Sequence, residues 1–161
     1  MSERHVVKVG ELRVAHAGAI LVTLGLGSCV AIALYDPERR IGGLGHVLLP
    51  EPTGSRHAEQ PGRFASTAVA PLLELMEAEG ASRERIYARL AGGAAMFPGL
   101  VPNGFRNLGM RNVEAARAAL SRAGVPVVAE DVGGAHGRSM HFRIEDGQIR
   151  VTSLNAEDVI L

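Results

Sequence analysis

Between Thr23 and Leu49 the chain reads as two apolar strands folded back on one turn, and the remaining elements have to be built around that pair. Cys29 to Tyr35 is the outgoing strand, and Asp36-Pro37-Glu38-Arg39 has the Asp and Pro placement of a type I turn. Gly43 to Leu49 is the returning strand, closed by Pro50. At the head of the hairpin sits Cys29, the only cysteine, directly after Thr23-Leu24-Gly25-Leu26-Gly27-Ser28. A turn centred between Pro37 and Glu38 sets Asp36 opposite Arg39 and Cys29 opposite His46. Directly opposed residues on antiparallel strands have Cβ atoms about 4.5–5.5 Å apart, so thiol and imidazole would meet across the pair. A longer loop or a bulge would shift this register.

The other elements follow from periodicity. Val6-Val7-Lys8-Val9 and Leu12-Arg13-Val14 read as short strands around Gly10-Glu11, a hairpin pattern. Ile20 to Thr23 is β-rich and ends in the glycine run. Glu51 to Gly62 is a surface loop by its Pro, Gly, Ser and His content. Phe64, Ala68, Val69, Leu72, Leu75 and Met76 recur at helical spacing up to Gly80, with Pro71 predicting a kink inside that helix. Arg85 to Leu90 is a strand leading into Gly92-Gly93-Ala94. Asn112 is the expected N-cap of a second helix carrying Val113, Ala116 and Leu120 and ending at Gly124. Pro126 to Glu130 is a strand. Met140, Phe142 and Ile144 alternate up to Asp146-Gly147, and Ile149 and Val151 alternate beyond it, a hairpin signature. Two helices among many strands make an α+β fold, a layered α/β sandwich with mixed β-sheets, expected to form one domain over residues 1–161.

Composition narrows the class of function. Seventeen basic and 17 acidic residues cancel to a net charge of zero, which offers no general attraction to nucleic acid or an anionic membrane. No Trp, two Tyr and four Phe are too few for a base-stacking surface. The longest apolar run, around Ala17 to Leu26, is well short of the roughly 20 residues that span a bilayer. Ser2-Glu3-Arg4-His5 is no signal peptide, and a single cysteine forms no internal disulfide, so a cytoplasmic monomer is expected. No metal ligand spacing and no dinucleotide fingerprint is present, and no cofactor is expected.

A lone cysteine in an apolar strand ordinarily packs as a small hydrophobe. Two features argue for chemistry at Cys29 instead. The preceding Gly25-Leu26-Gly27-Ser28 turn can gather backbone N–H groups into an anion-accepting nest, and His46 can take the thiol proton. The remaining histidines are weaker candidates: His57 lies in the loop, His136 between small residues, and His141 on the outward alternation of the last hairpin. Gly92-Gly93-Ala94 reads as a tight turn, with no Lys after it to make a phosphate cradle.

Thr23-Leu24-Gly25-Leu26-Gly27-Ser28-Cys29-Val30 together with Gly45-His46-Val47-Leu48-Leu49-Pro50 resembles the CheD family of chemoreceptor glutamine deamidases. The likeness continues through Gly92-Gly93-Ala94-Ala95-Met96 and Leu108-Gly109-Met110-Arg111-Asn112. It ends with Asp131-Val132-Gly133-Gly134-Ala135-His136-Gly137-Arg138 and the hairpin that follows. Ala95 and Ala135 stand where relatives often carry Asn. The resemblance implies a fold like that of the toxin-type cysteine deamidases, with Cys29 as nucleophile, His46 as general base and acid, and Thr23 as the third member. Gly27 and Ser28 would line the oxyanion site, and Gly133 and Gly134 would serve substrate binding or only tight turns. Arg138 would be a partner contact or an exposed structural arginine.

The implied partners are the cytoplasmic helices of chemoreceptors and a CheC-type phosphatase, without direct membrane insertion. Two functions from different classes follow from the resemblance. One is a protein-glutamine amidohydrolase working through a thioester; the other is a regulatory binding module that pairs with the phosphatase.

Overall fold

The computed structural model describes residues 2–97, 99, 107–154 and 156–161. Among these residues, ten strands and two α-helices stack in three layers. The strands are β1 (Glu3–Val6), β2 (Leu12–His16), β3 (Ala19–Leu26), β4 (Val30–Asp36), β5 (Ile41–Val47), β6 (Tyr87–Gly92), β7 (Val127–Val132), β8 (Arg138–Arg143), β9 (Ile149–Thr152) and β10 (Val159–Ile160). The helices are α1 (Ala65–Ala78) and α2 (Leu108–Arg122). One sheet has the order β1-β3-β8-β9-β10 and the other β2-β5-β4-β6-β7. Each mixes antiparallel pairs with one parallel pair, β1 with β3 and β6 with β7. The expected α+β class with mixed sheets is what the chain forms.

Alternation along β4 explains the layering. Ala31, Ala33 and Tyr35 turn toward the first sheet, where they pack with Leu21, Met140 and Phe142. Val30, Ile32 and Leu34 turn the other way, onto Leu72, Val113 and Leu120 of the helices. A strand buried on both faces reads as continuous apolar sequence, which is what Val30 to Tyr35 shows. Gly80, with φ of 109°, terminates α1 as its position after the apolar face implied. Pro71 lies inside that helix, where it withholds one N–H from the intrahelical ladder.

Three expectations are corrected. First, β1 and β2 do not form a hairpin. Both are too short to make a stable ribbon alone, and each finds a longer partner in a different sheet. The segment between them wraps around the end of β5: the Val7 N–H donates to the Val22 carbonyl at 2.7 Å and the Gly10 N–H to the His46 carbonyl at 2.8 Å.

Second, the turn after β4 is longer than a two-residue turn. The ladder closes at Asp36 and Ile41, leaving Pro37 to Arg40 as the loop, with Arg40 at φ of 53°. Asp36 holds this loop from within, accepting from the N–H groups of Glu38 and Arg39, while its other oxygen accepts from Ser82 and Arg85. His46 therefore pairs with Ala31, not with Cys29.

Third, α2 begins four residues before Asn112. Asn107 is its N-cap, its side chain accepting from the Met110 N–H at 2.9 Å. Asn112 is a fully buried residue of the helix interior. Leu108 satisfies the start of the helix by following a capping Asn, the rule that the sequence had suggested for the wrong Asn.

Candidate active site

The imidazole of His46 is gripped from the opposite sheet. Leu44 and His46 point from β5 into the space between the sheets, on the same face as Ala31 of β4. There His46 Nδ1 meets the Thr23 hydroxyl of β3 at 2.7 Å. The same hydroxyl donates its single proton to the Val7 carbonyl, also at 2.7 Å. A carbonyl only accepts, so the hydroxyl must accept from His46, and Nδ1 carries the ring proton. Nε2 is left with a lone pair, buried and without a partner among the described residues. Sequence reasoning reached Thr23 only through the family likeness. It missed Val7, whose backbone oxygen sets the tautomer and has no side-chain signal.

Cys29 lies one residue before β4 and packs, half-buried, against the same inter-sheet cluster. It lies two residues before Ala31, the partner of His46, and so on the side of the chain that faces the same inter-sheet space. Burial pushes the Cys29 thiol up, its own backbone N–H pulling weakly the other way. Burial also pushes the His46 imidazole down. Both effects favour the uncharged forms of the two side chains.

Backbone contacts hold the turn that carries Cys29. The Gly93 N–H donates to the Cys29 carbonyl at 2.8 Å and the Ala94 N–H to the Gly27 carbonyl at 2.9 Å. Gly92, at φ of 111°, lies so close that a Cβ there would collide with the Cys29 carbonyl. Its turn is therefore a clamp on the Cys29 backbone. Among the described residues, the N–H groups of Gly27 and Ser28 donate to no turn or loop carbonyl, while the Cys29 N–H faces its own sulfur.

Gly133 and Gly134 are placed differently. The Gly133 N–H is occupied by the Gly92 carbonyl at 2.9 Å, and the Gly134 carbonyl accepts from Ala95 at 2.8 Å. These two glycines tie the β7–β8 loop to the clamp. Arg138 is not exposed, correcting that expectation: it is buried, donating to the carbonyls of Asp131 (2.7 Å) and Gly133 and pairing with the Asp131 carboxylate. An arginine is long enough to reach several acceptors around one loop, although Arg138 Nε is buried without a partner among the described residues.

Two grooves flank the Cys29 turn. A mostly apolar one of about 390 Å³ is lined by Ser28, Ala94, Ala95, Met96, Phe97 and Leu108, among others. A second, of about 640 Å³, lies between Gly25, Met96, His136 and Leu154. Met96, Phe97 and Leu154 of their linings are exposed.

A half-buried thiol and a tautomer-fixed imidazole facing one inter-sheet space are the residue types that cysteine-type acyl transfer uses. The fold is shared with a DUF152 protein of Neisseria meningitidis (TM-score 0.53, 11% identity) over 83% of this chain and 64% of that one. The Bacillus licheniformis hypothetical protein YfiH is similar at TM-score 0.51 and 16% identity, over 84% of this chain and 61% of its own. Sequence is more specific. The family model described as CheD chemotactic sensory transduction matches residues 48–153. The chain is 48% identical to the "Probable chemoreceptor glutamine deamidase CheD 2" of Geobacter metallireducens, over 96% of both chains. It is 42% identical to the "Chemoreceptor glutamine deamidase CheD" of Thermotoga maritima, over 92% of this chain and 90% of that one. The chain belongs to the CheD family.

Proposed function

We propose that this protein is a chemoreceptor glutamine deamidase, a protein-glutamine amidohydrolase working in the cytoplasm as a single-domain monomer. The observation that carries the proposal is the Val7–Thr23–His46 relay, which leaves a buried Nε2 lone pair on the face shared with Cys29. Such a lone pair is the requirement for a general base toward a thiol.

In the proposed reaction Nε2 takes the Cys29 proton as sulfur attacks the carboxamide carbon of a receptor glutamine. The N–H groups of Gly27 and Ser28 receive the oxyanion. The protonated Nε2 then gives its proton to the amide nitrogen, the C–N bond breaks, and ammonia leaves a thioester. Water, losing a proton to Nε2, attacks the thioester carbon. The C–S bond breaks, sulfur recovers the proton, and glutamate departs. The net change is glutamine and water to glutamate and ammonia. Thr23 keeps the proton on Nδ1 throughout, which is the task of a third residue in triad logic.

The exposed rim of Met96, Phe97 and Leu154 supports a helical partner, since an amphipathic helix buries an apolar face in such a groove. The cytoplasmic helices of a chemoreceptor suit it as substrate. A helix of a CheC-type phosphatase would suit the same rim, giving the second reading of a regulatory binding module.

Mass spectrometry of a receptor cytoplasmic fragment incubated with wild type and with Cys29→Ala separates the readings. A gain of one mass unit at glutamine with wild type alone supports deamidation. Intact glutamines after wild-type incubation, with the fragment still bound, would leave only the binding module.

A further inference from the structure

We infer that Asn112 is a positioning residue of the Cys29–His46 site, an inference that rests on the deamidase reading. Asn112 sits on the inner face of α2 beside Val113 and Ala116, a place where the helical pattern calls for an apolar side chain. It is fully buried, and its two amide hydrogens go to two different segments: the Ser28 carbonyl at 2.9 Å and the Leu48 carbonyl at 3.0 Å. Both acceptors are carbonyls, so the amide orientation is settled by chemistry rather than by choice.

The two carbonyls mark the place where β4 and β5 separate. The last rung of their ladder is Val30 with Val47. Beyond it the chain after β5 turns away: the Leu48 and Leu49 N–H groups both donate to the Arg63 carbonyl. Ser28 immediately precedes the thiol-bearing residue, and Leu48 lies two residues past the imidazole. The Asn112 amide thus replaces the missing rung and sets the spacing between the two strand ends that carry the site. Gly109, one turn earlier, lets α2 approach that closely, because a Cβ there would strike the backbone of Gly93 and Ala94. The arrangement is kept although Asn112 Oδ1 is buried without a partner among the described residues. A residue selected for packing alone would avoid that orphan acceptor.

The test compares Asn112→Leu, Asn112→Gln and Leu120→Ala, the last a buried residue of α2 with no hydrogen bond to the site strands. Two readouts are used below the melting temperature of each variant: turnover of a receptor fragment, and the pH dependence of Cys29 alkylation by iodoacetamide. Asn112→Leu is expected to lower kcat roughly 10-fold or more with KM within about twofold, as small misplacements of reacting groups do. It should also shift the alkylation profile, Asn112→Gln should recover part of both, and Leu120→Ala should change neither. Wild-type kcat and an unshifted profile in Asn112→Leu would overturn the inference, as would equal losses in Leu120→Ala. Should Asn112→Leu fail to fold, Asn112→Gln and Asn112→Ser carry the same comparison. A wild type that alkylates normally yet leaves glutamines intact would refute the deamidase reading, while the alkylation profiles still decide the role of Asn112.

Discussion

Thr23 meets His46 as an acceptor, not as a donor. The Thr23 hydroxyl spends its proton on the Val7 carbonyl and takes the Nδ1–H of the imidazole, both at 2.7 Å. The direction of that pair of bonds chooses the histidine tautomer, so what matters at position 23 is a hydroxyl and not merely a β-branched shape.

Thr23→Ser should therefore keep most of the activity, and Thr23→Val, which has nearly the same shape, should lose roughly 100-fold or more in kcat, the scale on which a positioned general base contributes. Thr23→Val also strands the Val7 carbonyl and the His46 Nδ1–H, which costs about 1–3 kcal/mol for a buried unsatisfied group. Steady-state kinetics and thermal melts of the two variants check both halves. Equal activity in Ser and Val variants would separate Thr23 from the chemistry.

The pH dependence follows from burial of both reacting groups. His46 is held below its ordinary value of about 6.5 and the Cys29 thiol above its ordinary value of about 8.5. The rate of kcat/KM against pH should show a broad plateau, with an acid limb centred below about 6.5 and an alkaline limb above about 8.5. An acid limb at or above the ordinary histidine value of about 6.5 would contradict a base held down by burial. Stability carries the same sign. The folded state resists protonating His46 while the unfolded chain does not, so unfolding gains protons as pH falls from about 6.5 toward the folded pKa, and stability declines through that window. His141 is displaced downward too, first by burial and then by Arg4 and Arg150, and adds to the slope. The His46 share is read as the difference between wild type and His46→Gln, whose curve should be flatter.

Gly92 should tolerate no side chain. Ala there meets both an unfavourable φ of 111° and the Cys29 carbonyl. Gly92→Ala is expected to abolish most activity by moving the thiol, and to lower the melting temperature. Gly124→Ala, at φ of 73° but with open space around it, should show only the backbone penalty of about 1 kcal/mol and keep its turnover.

The sequence made the two helices, the last hairpin and the Cys29–Leu49 strand pair readable, because each announces itself by local periodicity. What it hid were choices made between distant segments. Nothing in Val6 to Val14 says that its two halves join different sheets. The Pro37–Arg40 loop moved the register by two residues, because Asp36 and its long-range partners Ser82 and Arg85 hold a four-residue loop where a tight turn had been expected. A shift of two preserves the face, so Cys29 and His46 still look into the same space although they do not oppose each other. Asn112 looked like a cap because capping is what Asn does locally; its use as a cross-strand brace depends on Ser28 and Leu48, 84 and 64 positions away.

The relay that readies the imidazole belongs to one sheet, and the thiol and imidazole belong to the other. On the proposed assignment, a nascent or partly opened chain owns a thiol but no oriented base. Hydrolytic power is then withheld until the sandwich shuts, which guards the many glutamines of bystander proteins against a half-made enzyme.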